Sequence, residues 1–236
     1  TMLIIPANSK THFNFAMNAP EYEDFASHSL VGWVAGVHLN DIGVKKAKVM
    51  SGSNLQTSET DAVVMHVDLD PAYACEIGIV NIFEQGHGDS IEFMTTGFEV
   101  EEARVNGKKV NFADYLIKNN IDTKLPLVAD YAGAMINVGF QNINKEKRRV
   151  NFYAPVFTGI QYRQAVVVGD YMNTFAKKSP ENTEQVLFSC NCILNFLYAG
   201  LEGKTISEMN GPITFGEIAY QLLNQTMVYL KIQKMR

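Results

Sequence analysis

The alternation of apolar and polar positions is clearest in the middle of the chain. Residues 62–69 and 75–84 read as strands, a turn falls at Gly86-His87-Gly88-Asp89, and residues 90–95 read as a further strand. Hairpin-linked strands are the economical expectation there. Residues 98–105 continue the pattern, and Asn106-Gly107 separates them from a short run at 108–110. Both residues of that pair tolerate positive φ, so it predicts a tight hairpin turn. Phe112, Tyr115 and Leu116 then fall at helical spacing, predicting a short amphipathic helix over Phe112–Lys118 that Asn119-Asn120 closes. Val128, Tyr131 and residues 135–140 suggest a strand region broken by Gly133 and Gly139. Arg149–Val156 and residues 161–168 suggest two strands about a turn at Thr158-Gly159. Links this short predict antiparallel pairing.

Past residue 170 helices alternate with strands. Tyr171–Lys178 reads as a helix, Ser179-Pro180-Glu181 as the start of a further helical turn, and residues 186–189 as a buried strand. Residues 193–201 are apolar apart from Asn195, which predicts a helix buried on most sides and ended by Gly200 and Gly203. Residues 213–220 and 227–232 read as strands. Residues 40–61 are polar and small, a surface connection or a short helix flanked by loops, and an early boundary. Strand pairs interleaved with single helices predict an α+β fold with mainly antiparallel sheets and packed helices; a layered α/β sandwich is one such arrangement. The expected division is an N-terminal α+β subdomain, 1–97, packed on a second α+β subdomain, 98–236.

Composition narrows the class. A length of 236 residues suits one large or two small domains, and 47% hydrophobic with 19% charged residues is a globular profile. Twenty basic residues against twenty-five acidic leave a net charge of −5, with no basic excess to attract a polyphosphate chain, so nucleic acid is not an expected partner. Three cysteines, Cys75, Cys190 and Cys192, are too few for a secreted disulfide framework, so a reducing, cytoplasmic location is expected. The first ten residues carry no basic segment ahead of a short apolar run, so no secretory signal is expected; Thr1 before Met2 reads as a residue left over from expression. The longest mostly apolar stretch, residues 30–39, is well short of a membrane helix, so no membrane span is expected.

Several residues carry candidate chemistry. His66, Asp68 and Asp70 alternate along an expected strand and so share a face, as a divalent-metal site would need; a solvated polar face is the plain alternative. His87 sits in a glycine turn, an exposed residue or an axial haem ligand. Cys190 falls where a strand gives way to a helix, a setting that favours thiolate, against the plain reading of a buried small hydrophobe. Cys192 adds only a lone Cys-x-Cys, without the second pair a structural zinc requires. Glu217, within a strand, is a carboxylate for a cleft or for solvent; Asn224 and Thr226 are ligand donors or turn residues.

The run Val186-Leu187-Phe188-Ser189-Cys190, the apolar helix after it, Gly216-Glu217-Ile218-Ala219 and Leu223-Asn224-Gln225-Thr226 resemble the C-terminal region of FIST (F-box and intracellular signal transduction) proteins. Ala103-Arg104-Val105-Asn106-Gly107-Lys108 and Pro126-Leu127-Val128 are similar to the opening of that region, so the resemblance spans about residues 98–232. It implies a sensory module that binds a small molecule, with a signalling protein as a partner and, in some members, haem as ligand. Where the family commonly places Gly-Arg two residues after its cysteine, this chain has Cys192-Ile193, which removes a cation able to pair with an anionic ligand. No room for an output domain is expected within this length. The resulting expectation is a small-ligand site formed by Cys190, Asn191, Gly216, Glu217, Asn224 and Thr226. A cysteine-dependent enzyme using Cys190 and a homodimeric scaffold are the competing readings.

Overall fold

Met2–Pro6 (β1) and Val31–Ala35 (β2) run parallel, Met2 opposite Val31 and Pro6 opposite Ala35, an arrangement that needs a crossover rather than a tight turn. The crossover contains Lys10–Asn18 (α1). Its start is set by Ser9, whose hydroxyl accepts the His12 amide at 3.0 Å, and its inward stripe is His12, Phe15 and Ala16. Both strands are nearly unbroken apolar runs, which erases the period-two signal. The computed structural model describes residues 1–23, 27–53, 55–131, 133–181, 183–204 and 210–235.

Within the expected connection at 40–61, Val49–Ser51 (β3) and Gln56–Ser58 (β4) pair as a small hairpin, and Asn54 between them lies outside the described residues. Val63–Met65 (β5) and Tyr73–Val80 (β6) follow. Next come Ile91–Phe93 (β7), Gly97–Val100 (β8), Glu102–Val105 (β9), Lys108–Asn111 (β10) and Phe112–Lys118 (α2). Leu127–Tyr131 (β11), Ala134–Val138 (β12), Phe140–Asn144 (β13), Arg149–Val156 (β14) and Gln161–Gln164 (β15) lead to Tyr171–Lys178 (α3). The chain then runs through Val186–Cys192 (β16), Ile193–Tyr198 (α4), Ile213–Thr214 (β17), Glu217–Ala219 (β18), Gln221–Leu223 (β19) and Met227–Lys234 (β20). Mixed α+β with mainly antiparallel sheets is therefore the observed class.

The chain forms two compact units. One comprises Thr1–Val80, Phe175–Leu222 and Thr226–Arg236; the other comprises Asn81–Thr174 with Leu223–Gln225. These differ from the expected 1–97 and 98–236. The reason is β20, which lies antiparallel to β6 from Met227 opposite Val80 to Lys234 opposite Tyr73, so the C-terminal strand completes a sheet begun before residue 81. The first unit holds a five-stranded sheet, β19-β18-β2-β1-β5, a four-stranded sheet, β17-β16-β20-β6, and the β3–β4 hairpin.

The second unit holds a six-stranded sheet, β10-β9-β7-β15-β11-β12, and a three-stranded sheet, β13-β14-β8. Its core draws on both sheets and on α2. Phe93 packs edge-on against Phe112 at 5.2 Å between ring centroids and against Tyr162 at 5.4 Å, with Phe140 and Phe152 beside them. The Asn106-Gly107 turn forms as expected, with φ of 49° and 78°, and α2 occupies its expected span with Asn111 as its cap. Two other pairings differ from expectation. β6 pairs with β20 rather than β7, and β14 and β15, joined by a short turn, belong to different sheets. At the further helical turn expected from Ser179, residues 179–181 are not helical and residue 182 lies outside the described residues; Ser179 instead closes α3, its amide and hydroxyl both donating to the Phe175 carbonyl at 3.0 Å. No helix among the described residues is long and apolar enough to cross a membrane.

Gly32 sits opposite Leu3, and a Cβ there would strike the Leu3 backbone carbonyl, whereas a Cβ on Gly52 meets open space. Gly32→Ala is therefore expected to cost about 1–3 kcal/mol in urea unfolding, by overpacking between two backbones. Gly52→Ala is expected to leave the midpoint unchanged.

Candidate functional site

Expectation placed the site where the strand ending near residue 190 meets the one opening at 213. These strands do lie side by side: β16 and β17 are parallel, Asn191 opposite Ile213 and Cys192 opposite Thr214. Beyond them, β18 places Glu217 wholly inside the first unit, at 0% exposure. The Thr214 hydroxyl donates to its Oε1 at 2.7 Å and the Thr226 hydroxyl to its Oε2 at 2.8 Å. The Thr226 amide and the Cys192 thiol also bond to the carboxyl group. Cys190, on the same β16 face as Cys192, donates from Sγ to the Gly32 carbonyl at 3.4 Å. Asn195, the polar exception in the apolar helix α4, is fully buried; its amide donates to the Thr226 carbonyl and to Asn191 Oδ1, both at 2.9 Å.

Burial dominates this cluster's electrostatics. Loss of solvent raises Glu217 to a pKa of about 8 although four hydrogen bonds favour its charged form, so near neutral pH the side chain is mainly a neutral acid. Burial, then the neighbouring Glu217, pushes the Cys190 thiol well above its ordinary value. The helix-start argument for a thiolate is thereby overturned. Cys190 lies inside β16, Cys192 is the residue that precedes α4, and removal from water outweighs whatever that six-residue helix supplies. With Cys190, Thr214, Glu217 and Thr226 all at 2% exposure or less, the cluster ties strands together and is closed to solvent.

The other expected site residues separate. Gly216 accepts the Val34 amide at 2.8 Å and so joins β18 to β2. Asn224 belongs to the second unit, where Oδ1 accepts the Gly139 amide at 2.8 Å and Nδ2 donates to the Asn137 carbonyl at 3.1 Å; its polar atoms serve the backbone. The strand expected at 62–69 ends at Met65, so His66, Asp68 and Asp70 do not share a strand face: they are exposed, with His66 bonded to the Thr1 hydroxyl and Asp70 to the Ala72 amide. No three His, Cys, Asp or Glu side chains among the described residues group as metal ligands. His87 is exposed in a bend.

An opening exists at the other end of β16. Phe188, Leu230 and Ile77 form one row across β16, β20 and β6, and Ile232 opposite Cys75 continues it on the same face. An irregularity between Val186 and Phe188 lets consecutive residues Leu187 and Phe188 both border the space above. Met2, Val31, Met65, Val67 and Leu69 complete an apolar crevice of ≈ 210 Å³, with Thr1 and Ser29 its polar edge. Its rim is solvent-facing, Leu187 being 70% and Val67 55% exposed. Phe188 also stacks on Trp33, the sole tryptophan, at 5.4 Å. The apolar run from Val186 pointed to a buried strand, but its partners in the crevice come from five other segments.

Fold and site together define an α+β protein, mainly antiparallel, that seals an uncharged acid at one end of a strand and leaves an apolar crevice at the other. The chain belongs to DUF6976, a family of unknown function, whose profile matches residues 1–233. No curated protein and no solved structure matches it.

The raised Glu217 sets a pH dependence with a definite sign. The unfolded carboxyl ionises near its ordinary ~4.3, while the folded one keeps its proton to about pH 8. This contribution to stability is therefore complete below about pH 4 and is lost as pH rises through about 8, by up to ~1.4 kcal/mol per pH unit between. Urea unfolding between pH 5 and 8 should show the slope, and Glu217→Gln should flatten it; parallel curves for both proteins would refute the neutral acid. In native protein Cys75, which is partly exposed, should be alkylated before Cys190 and Cys192, which are buried. Mass mapping of iodoacetamide adducts reads that order.

Proposed function

We propose that the protein is a small-ligand-binding module whose ligand sits in the crevice above Phe188, Leu230 and Ile77. The observation that carries this reading is the crevice itself: an apolar lining left open to water, which folding alone would tend to close. Its ≈ 210 Å³ is larger than a ~150 Å³ apolar cavity of the kind that takes up benzene and smaller than the ~300 Å³ at which drug-sized sites begin. The ligand class is accordingly a single substituted aromatic ring or a short acyl chain. The resemblance to the FIST C-terminal region supports the same role, small-molecule sensing read by a signalling partner. The sealed Cys190 thiol favours binding over cysteine-dependent catalysis. In this reading the paired sheets of each unit stack as layers, the arrangement that exposes a crevice at a sheet margin.

The test uses Trp33 as reporter, because it stacks on Phe188 of the lining. Titration with toluene and with octanoate should give a saturable change in Trp33 emission and a rise in melting temperature. Cys75→Phe, which fills the crevice from β6, should abolish both. Native mass spectrometry of protein taken directly from cells should show a retained small mass. Unchanged emission and melting temperature up to the solubility limit of both probes would sink the proposal.

A further inference from the structure

A second and larger cavity lies in the first unit, at the carboxyl ends of the parallel strands β1 and β2. It measures ≈ 480 Å³ and is bounded by the turn from Ala7 to Lys10, the segment at 42–47, Glu59, Thr60 and Phe215. Where parallel strands feed helices, the turns at their carboxyl ends enclose such spaces, and ligands collect there. The volume falls within the ~300–1,000 Å³ range of small-molecule sites.

The charge of this cavity runs against that of the chain. Overall the protein is at −5, yet Lys10, Lys45 and Lys46 line the cavity against Glu59 alone. The ion pairs do not remove the imbalance. Lys45 pairs with Asp41 at 3.0 Å, while Glu59 is shared by Lys46 at 3.6 Å and Lys48 at 3.3 Å. Lys10 forms no ion pair among the described residues, and the lining itself, three lysines against Glu59, keeps a positive excess. Exposed pairs of this kind are worth about 0–1 kcal/mol, so their ammonium groups can turn to a ligand at little cost.

The turn beneath the lysines is held in place. His12 is buried, which lowers its pKa to about 4, and its neutral ring accepts the Asn8 amide at Nδ1, 3.2 Å away. The Ser9 hydroxyl is committed to the His12 amide, and Thr11 bonds through its hydroxyl to the Thr60 carbonyl. The backbone amides of Lys10 and Thr11 meet no acceptor among the described residues and add donors beside the lysines. Val37, Ile42 and Phe215 supply the apolar part of the lining.

We infer that this cavity binds a phosphorylated small molecule, its phosphate held by Lys10, Lys46 and the adjoining amides and its ring or other apolar part lying against Phe215 and Ile42. A lone phosphate would occupy little of the space, since a water takes only ~30 Å³, so the volume calls for a phosphate ester with a body of its own. The site is independent of the apolar crevice and stands or falls without it.

The experiment is isothermal titration of the full chain with phenyl phosphate, inorganic phosphate and phenol at low salt, repeated at high salt. One saturable site is expected for phenyl phosphate, weaker binding for inorganic phosphate, none for phenol, and loss of affinity with salt. Lys10→Ala and Lys46→Ala should each weaken phenyl phosphate by roughly tenfold, the loss expected for one charge-assisted hydrogen bond. Both lysines are exposed, so melting temperatures should match the parent, and Lys118→Ala in the second unit should bind normally. Absence of saturable phenyl phosphate binding, equal binding of phenol, or full affinity in both variants would overturn the proposal.

Discussion

The first unit depends on a carboxyl group placed where no water and no cation reach it. Glu217 takes hydroxyl bonds from Thr214 and Thr226, and the same Thr226 offers its carbonyl to Cys192 and Asn195. Through these bonds one side chain of the five-stranded sheet is tied to the ends of β16, β17 and β20 in the four-stranded sheet. An ionised carboxylate in that position would carry a large desolvation cost, whereas a neutral acid with each oxygen bonded carries little. The proton is thus a structural component. The same burial, at 1% exposure or less, raises the Cys190 thiol as well, so both groups favour their protonated forms.

The division of labour along β16 follows from this seal. Its Cys190–Cys192 end is closed by polar bonds to neighbouring strands; its Leu187–Phe188 end faces a mainly apolar lining, with Thr1 and Ser29 at the edge. Apolar contacts lack direction, so a gap among them leaves no polar atom unsatisfied and can persist, whereas a gap around Glu217 would leave hydroxyls and amides without partners. The opening is therefore found at the apolar end. The lysine-lined cavity beyond β1 and β2 is of another kind, shaped by strand-to-helix turns and by charge.

Local signals were legible in the chain wherever a few neighbouring residues decide the outcome. Asn106-Gly107 adopts the two positive φ angles its composition favours, α2 spans its apolar spacing, and Arg149–Val156 is one continuous strand. The signal failed where the partner is distant. Short links suggested β6 with β7 and β14 with β15, but each strand found its partner elsewhere, since burying an apolar face outweighs the convenience of a nearby neighbour. Cys190 and Glu217 lie near each other and both are buried, an environment the sequence does not signal, because nothing within a strand tells a carboxylate at a cleft from one at 0% exposure. The helix start at Ser9 and Lys10 carries a cap signal in the chain itself, serine ahead of an apolar stripe.

The amino-acid sequence by itself determined the α+β class, the turn at Asn106-Gly107, α2 and α3; these rest on dihedral preference and periodicity, which act over a few residues. Only the tertiary structure decided that residues 175–222 and 226–236 join 1–80, that Glu217 is buried with its pKa raised, that Asn224 serves a different unit from Thr226, and where cavities remain. Pairing partners, solvent exclusion and voids are properties of surfaces brought together from opposite ends of the chain, and they come into being only on folding.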